Sequence, residues 1–192
     1  MNRTIEYYNE NAQSYYELTV HADMSLLCDR FLRYVTPGGK IIDIGSGSGR
    51  DITYFLSKGY EAEGIDASFE LCRISNEHGI KVENITIQDW NPREFYDGIW
   101  ANASLVHVPL KEIELFFVKA KRFLKKEGVI FASMKVGLQT DYDEKGRFFC
   151  MFDESTMGVI LKRHPELKLV DQWYSQDRLA REDIRWINFI LK

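Results

Sequence analysis

A chain of 192 residues and 22.5 kDa, 45% hydrophobic and 28% charged, is long enough to bury one core and ordinary in composition for a globular domain. Its net charge of −4 and pI near 5.6 argue against a surface built to track nucleic-acid phosphates. No stretch approaches the roughly 18 apolar residues of a membrane span, and the polar, tyrosine-rich start has no apolar leader, so a cytoplasmic location is expected.

Residues 24–35 put Met24, Leu27, Phe31 and Val35 at helical spacing, and Thr36-Pro37-Gly38-Gly39 ends that helix. KIIDIG (40–45) reads as a short buried strand, and the glycine loop GSGSG follows it. DITYFLSKG is a helix closed by Gly59. EAEGID is a second strand, and SFELCRISNEHG a second helix closed by Gly79. A strand at VENITIQ, a loop at DWNPREF and a strand at DGIWANA come next. A helix over 111–125 carries Ile113, Phe116, Phe117, Ala120, Phe123 and Leu124 on one face. GVIFASMK is another strand, and a helix is expected near 153–163. ELKLVDQWYSQ and DIRWINFILK then read as two strands separated by the polar break RLARE. Strands alternating with helices at this pace predict a mostly parallel, doubly wound α/β sheet with helices on both faces, and the last two strands predict an antiparallel edge pair.

Cys28, Cys72 and Cys150 are far apart and lack C-x-x-C spacing, and the four histidines show no ligand spacing. They predict reduced thiols and no metal site. The loop is a D-x-G-x-G-x-G pattern from Asp43 to Gly49, one residue shorter than a G-x-G-x-x-G turn, with Arg50 where that turn has its third glycine. No Gly-Lys-Ser/Thr follows, which excludes a P-loop. Downstream stand Asp66 at the end of the second strand, then Gln88-Asp89-Trp90, then YDGIWANASLVHVP (96–109).

Taken in this order, these four segments resemble the motifs of class I S-adenosylmethionine-dependent methyltransferases. The resemblance covers roughly residues 40 to 135 at motif level, and the continuation GRDITYFLSKGYEAEGIDAS is similar to the branch that includes tellurite-resistance-type enzymes. It implies a Rossmann-like, seven-stranded, single domain over 1–192. Residues 1–36 would be a helical lead-in, 37–135 the cofactor-binding core, and 136–192 an acceptor-side insertion with the last strands. It also implies S-adenosyl-L-methionine as cofactor. Gly45, Ser46 and Gly47 would let the backbone approach the methionine part, and Asp43 would lie near its amino group. Asp66, beside Ala67, would accept from the ribose hydroxyls, since two carboxylate oxygens match a vicinal diol. Asp89 would accept from the adenine amino group, with Trp90 against the ring, and Asn102 would line the cofactor beside the reacting methyl.

YYNENAQSYYE resembles the lead-in of many small-molecule methyltransferases, where an aromatic residue folds over the cofactor. Tyr16 is the first candidate and Tyr8 the second, with Tyr7 and Tyr15 beside them; Asn9 stands where an aspartate is usual. A helix that simply packs its tyrosines on the domain explains the same letters. His107, just past the fourth strand, is the candidate general base by position and pKa range, against the alternative of a histidine packed at a helix start. Lys135 and Arg147 beside Tyr142, Phe148 and Phe149 suit a planar or anionic acceptor, or a solvated loop with hydrophobic anchors. Arg185, Trp186 and Asn188 read as edge-strand packing or as part of the acceptor pocket. The expected function is methyl transfer to a small-molecule acceptor, without nucleic-acid or membrane partners, by a monomer or homodimer. A non-catalytic cofactor sensor or scaffold, or a nicotinamide-dependent oxidoreductase, are the alternatives.

Overall fold

The computed structural model describes residues 2–137, 140–177 and 184–192. Two short helices, α1 (Arg3–Glu10) and α2 (Ala12–Thr19), precede α3 (Ser25–Leu32). An alternating series follows: β1 (Lys40–Ile44), α4 (Arg50–Ser57), β2 (Glu61–Asp66), α5 (Phe69–Glu77), β3 (Val82–Asn84), β4 (Tyr96–Asn102), α6 (Leu110–Arg122) and β5 (Leu124–Lys135). A two-residue hairpin, β6 (Asp141–Tyr142) and β7 (Phe148–Phe149), leads to α7 (Glu154–Arg163), β8 (Leu169–Gln176) and β9 (Arg185–Leu191).

Seven strands form one sheet in the order β3-β2-β1-β4-β5-β9-β8. The pairs from β3 to β5 are parallel, while β9 is antiparallel to both β5 and β8. This is the expected Rossmann-like architecture with its antiparallel edge. The break RLARE lies outside the described residues. The strand expected over VENITIQ stops at Asn84; Ile85 N still donates to Asp66 O at 3.1 Å, and the chain turns over 87–89.

Period-2 alternation assigns each side chain to a face. Ile42, Ile44, Ile99, Ala101, Ile130, Ala132, Ile187 and Phe189 pack with Ile113, Phe116 and Phe117 of α6 and Met157 and Ile160 of α7. Ile41, Trp100, Val129, Phe131 and Ile190 pack on the other face against Leu27, Cys28 and Phe31 of α3 and Phe55 of α4. By the same alternation Asp43 points to the α3–α4 side. Three helices are capped by their own side chains: Asn2 accepts from Thr4 N, Ser68 from Leu71 N and Asp153 from Thr156 N. Arg30 of α3 forks onto Asp171 of β8 with two 2.8 Å bonds, fixing that helix to the sheet edge. Among the described residues no helix is long and apolar enough to cross a membrane.

Candidate functional site

Strand order reverses beside β1, whose neighbours are β2 and β4, and a crevice outside the carboxyl ends of such strands is where this class of sheet takes ligands. The glycine loop lies there. Gly45 and Gly47 hold φ of +71° and +54°, a region in which a side chain is strained. A Cβ on Gly45 would stand 2.4 Å from Ser104 Cβ, so the loops after β1 and β4 approach with nothing but a hydrogen between them. The amides of Gly45 and Ser46 both donate to Ile65 O, at 2.8 and 3.0 Å, and Gly47 N donates to Asp66 Oδ2 at 2.8 Å. Asp66 Oδ1 accepts from Ser68 N at 2.8 Å. Burial raises the Asp66 carboxyl above its usual range, and these backbone donors oppose that shift.

The loop borders a cavity of about 270 Å³, lined by Gly45, Gly47, Asp66 and Ala67, with Ile85, Ile87 and Gln88 on one side and Tyr8, Tyr15 and Asn102 on another. A second cavity of about 840 Å³ adjoins it. Both are lined by Tyr8, Tyr15, Asn102, Ala103 and His107, which therefore form a shared wall. Ala103 sits on that wall at φ +56°, the one non-glycine residue with positive φ among those described.

The smaller cavity suits an adenosyl-amino-acid cofactor. It joins a side-chain-free backbone cradle, a carboxylate at the end of β2 and two isoleucines.

Several sequence expectations move. Tyr16 lines neither cavity; it stacks on His78 with ring centroids 4.9 Å apart, and Tyr15 and Tyr8 take the place expected for it. Trp90 is 2% exposed and packs on Tyr96, Phe116 and Phe123 in the core, so its indole offers no wall to the crevice. Asp89 is exposed and accepts from Thr86 Oγ1 at 2.8 Å; Thr86 and Gln88 line the cavity instead. Ser46 is buried against Gly64, with its hydroxyl turned away from both cavities. Asp43, 3% exposed, lies behind the loop, where burial first and the neighbouring Asp51 charge second raise its carboxyl well above the usual range. Asn9, in place of the usual aspartate, accepts from Ser68 Oγ at 2.8 Å and so ties α1 to the start of α5.

One group escaped the sequence reading. Asp51, 4% exposed, accepts from Arg50 Nε at 2.7 Å, from Trp100 Nε1 at 2.9 Å and from Asn102 Nδ2 at 3.0 Å. It thereby fixes the amide of Asn102 on the shared wall. The pattern R-D after a glycine loop gives no hint of this, because two of the donors come from β4.

His107 is bonded at both ring nitrogens. Nδ1 lies 2.7 Å from Phe148 O, which only accepts, so Nδ1 carries the proton. Nε2 is then bare and accepts from the Tyr8 hydroxyl at 2.8 Å. Burial first, with the Arg147 and Lys135 charges, lowers the imidazole to about 4, against the opposing pull of the Phe148 carbonyl. The folded state thus binds this proton less readily than the unfolded chain, whose histidine titrates near 6.5. His107 is expected to stay neutral with Nδ1 protonated down to about pH 4, and its contribution to stability to fall as pH drops from about 6.5 to 4. Nitrogen chemical shifts of the imidazole across a pH titration check both; a midpoint at 6 or above contradicts this geometry.

In the larger cavity, Arg147 donates Nε and Nη2 to Asp143 Oδ2 at 2.9 and 2.7 Å. Its guanidinium lies 4.9 Å from the Tyr7 ring centroid and 5.1 Å from that of Phe149, and Lys135 Nζ lies 4.7 Å from Phe149. Trp186 lines this cavity, whereas Arg185 stacks on Tyr174 and Asn188 is buried against Trp173 and Ser175.

A family model described as a methyltransferase domain matches residues 16–188. No curated protein matches the chain in sequence. Among solved structures, a Burkholderia thailandensis 1,6-didemethyltoxoflavin-N1-methyltransferase with bound 1,6-didemethyltoxoflavin and S-adenosylhomocysteine aligns over 97% of this chain and 84% of its own, at 15% identity and a TM-score of 0.77. An S-adenosylmethionine-dependent methyltransferase from Clostridium acetobutylicum aligns over 96% and 98%, at 15% identity and 0.70. A coclaurine N-methyltransferase bound to N-methylheliamine and S-adenosylhomocysteine aligns over 86% and 69%, at 12% identity and 0.65. At such identities the likeness is one of fold.

Proposed function

The chain belongs to the family of methyltransferase domains, and from that membership we propose that it transfers a methyl group from S-adenosylmethionine to a small organic acceptor. The observation that carries this reading is the wall common to the two cavities. One cavity joins the side-chain-free cradle and the Asp66 carboxylate that the cofactor needs, and the other shares its wall. Two fold relatives hold S-adenosylhomocysteine together with a second small compound, which supports the same division of space.

Asp66 would hold the cofactor, with the side-chain-free backbone at Gly45 and Gly47 letting it approach the loop, Ile85 and Ile87 against its apolar part and Asn102 at the shared wall. When bound, the cofactor supplies a methyl group on a positively charged sulfur. Tyr8 and Tyr15 cover the junction of the cavities and exclude water from it. Holding two reactants in line contributes up to about 7–11 kcal/mol, so alignment alone supplies much of what the reaction needs. His107 then acts by fixing Tyr8: its single lone pair is taken by the Tyr8 hydroxyl, and its proton by Phe148 O.

Calorimetry with S-adenosylhomocysteine and NAD in parallel tests the cofactor, and labelled S-adenosylmethionine with a panel of acceptors tests turnover. Binding of S-adenosylhomocysteine and label transfer to a small acceptor are the expected results. Tight NAD binding without S-adenosylhomocysteine binding would overturn the reading, and cofactor binding without transfer to any acceptor would favour a sensor.

A further inference from the structure

We propose that Glu112 reads the amino group of the cofactor's adenine, with Gln88 holding its carboxylate in place. This rests on the reading that the smaller cavity takes the cofactor, and it names the side chain that selects the base there.

The order of the sheet sets the direction in which the ligand runs. The shared wall, with Asn102 at the end of β4, marks the place of the transferred methyl group, and Asp66 at the end of β2 marks the ribose. In the order β3-β2-β1-β4 the base then lies beyond β2, on the β3 side. Ile85, Thr86, Ile87 and Gln88 follow β3 there and line the cavity. The start of α6 closes the same end, for Gln88 Nε2 donates to Glu112 Oε2, and Lys119 Nζ donates to Gln88 O at 3.1 Å.

Charge singles out Glu112. Among the described residues that line this cavity, Asp66 and Glu112 are the carboxylates, and none is a lysine or arginine. The ribose takes Asp66. Glu112 is half-buried, and among the described residues it makes no ion pair and its Oε1 accepts from no group. Asp89, where the sequence places the base-reading acid, bonds to Thr86 and lies outside the cavity lining. Adenine presents its amino donor beside the N1 acceptor. A carboxylate oxygen meets the first. For the second there are the amides of Thr86, Ile87 and Gln88, which donate to no group among the described residues. Hypoxanthine reverses both positions: its 6-oxygen turns a lone pair toward the carboxylate and its N1–H faces an amide donor, so both contacts are lost.

The probes are S-adenosylhomocysteine and S-inosylhomocysteine, which differ only at that edge of the base. Both are measured by calorimetry, the weaker through its displacement by the stronger. S-adenosylhomocysteine is expected to bind wild type at least about 100-fold tighter, two mismatched contacts at about tenfold each. Glu112→Gln, whose amide can donate to the 6-oxygen, is expected to shrink that ratio to about 10-fold or less. Asp89→Asn, at the exposed acid, is expected to leave it within about twofold. Unfolding temperatures verify the fold of each variant, and a general loosening of the cavity weakens both ligands without moving their ratio. Failure of S-adenosylhomocysteine to bind wild type refutes the cofactor reading and this inference with it. Three results refute this inference alone: binding without preference over the inosyl compound, a ratio unmoved in Glu112→Gln, or a ratio that collapses in Asp89→Asn.

Discussion

Replacing Asp66 with alanine is expected to weaken S-adenosylhomocysteine binding by roughly 100-fold. Hydrogen bonds to a charged group contribute about 1.5–3 kcal/mol each, so losing two diol contacts costs about 3 kcal/mol or more, and each 1.4 kcal/mol is tenfold. The same carboxylate accepts from Gly47 N and Ser68 N, so the substitution also frees the middle of the loop and the first turn of α5. Asp66→Asn is expected to show both effects as well. It keeps the side chain's shape but turns an amide donor toward one of those backbone donors, and so it should disturb the loop as well as the ligand. Calorimetry for the ligand and thermal unfolding without it measure the two losses. An Asp66→Ala protein within threefold of wild type in affinity would remove this residue from the binding site.

Asp51→Ala should be the most destabilising single change in the region. Arg50, Trp100 Nε1 and Asn102 Nδ2 all donate to this carboxylate, and Arg50 would remain charged in a largely enclosed position. Breaking a buried pair by removing one partner costs about 3–5 kcal/mol, a large share of the 5–15 kcal/mol by which domains are stable. Adding Arg50→Met to the alanine variant should recover part of the loss, because it removes the orphaned charge. Urea unfolding at neutral pH gives both numbers. Burial alone would raise the Asp51 carboxyl, yet the Arg50 charge and the hydrogen bonds from Arg50, Asn102 and Trp100 leave it below its usual value. A depressed carboxylate stabilises the fold above the ordinary carboxylate range and stops doing so as pH falls through the folded value. The gap between wild type and Asp51→Ala should therefore narrow in acid. A loss under 1 kcal/mol at pH 7 would contradict the network.

The order of strands and helices was legible because local signals agree with the final packing. KIIDI, IWA and VIFAS are apolar on consecutive positions since both sheet faces are covered, and Gly59 and Gly79, at φ +83° and +76°, end helices where the sequence has them. The glycine loop and Asp66 were legible for a related reason, as their roles depend on neighbours close in sequence. Side-chain direction in α2 was not. Ala12 and Thr19 are its buried positions, and Tyr15 and Tyr16 straddle the line between them, so either ring satisfies the helical period. Only the presence of α5 and His78 beneath assigns Tyr16 away from the cavity. Trp90 follows a loop acid in a pattern that suits a ring-stacking role, but the early end of β3 rotates it into the core beside Phe116. The Asp51 cluster and the Tyr8–His107 bond join residues 49 to 99 positions apart, a distance at which no periodicity speaks.

That last separation bears on how the protein is made. Thr4 Oγ1 accepts from Phe148 N across 144 positions, and Tyr8 reaches His107 across 99. At ribosomal speeds of about 5–20 residues per second, α1 waits roughly 7–30 s after its own synthesis for its final seat to be translated. Until then Tyr8 has only the cluster of Ala12, Leu71 and Ile74 to pack on and Tyr7 lacks Arg147, so a nascent polypeptide stalled before the β6–β7 turn leaves one side of α1 uncovered for chaperones.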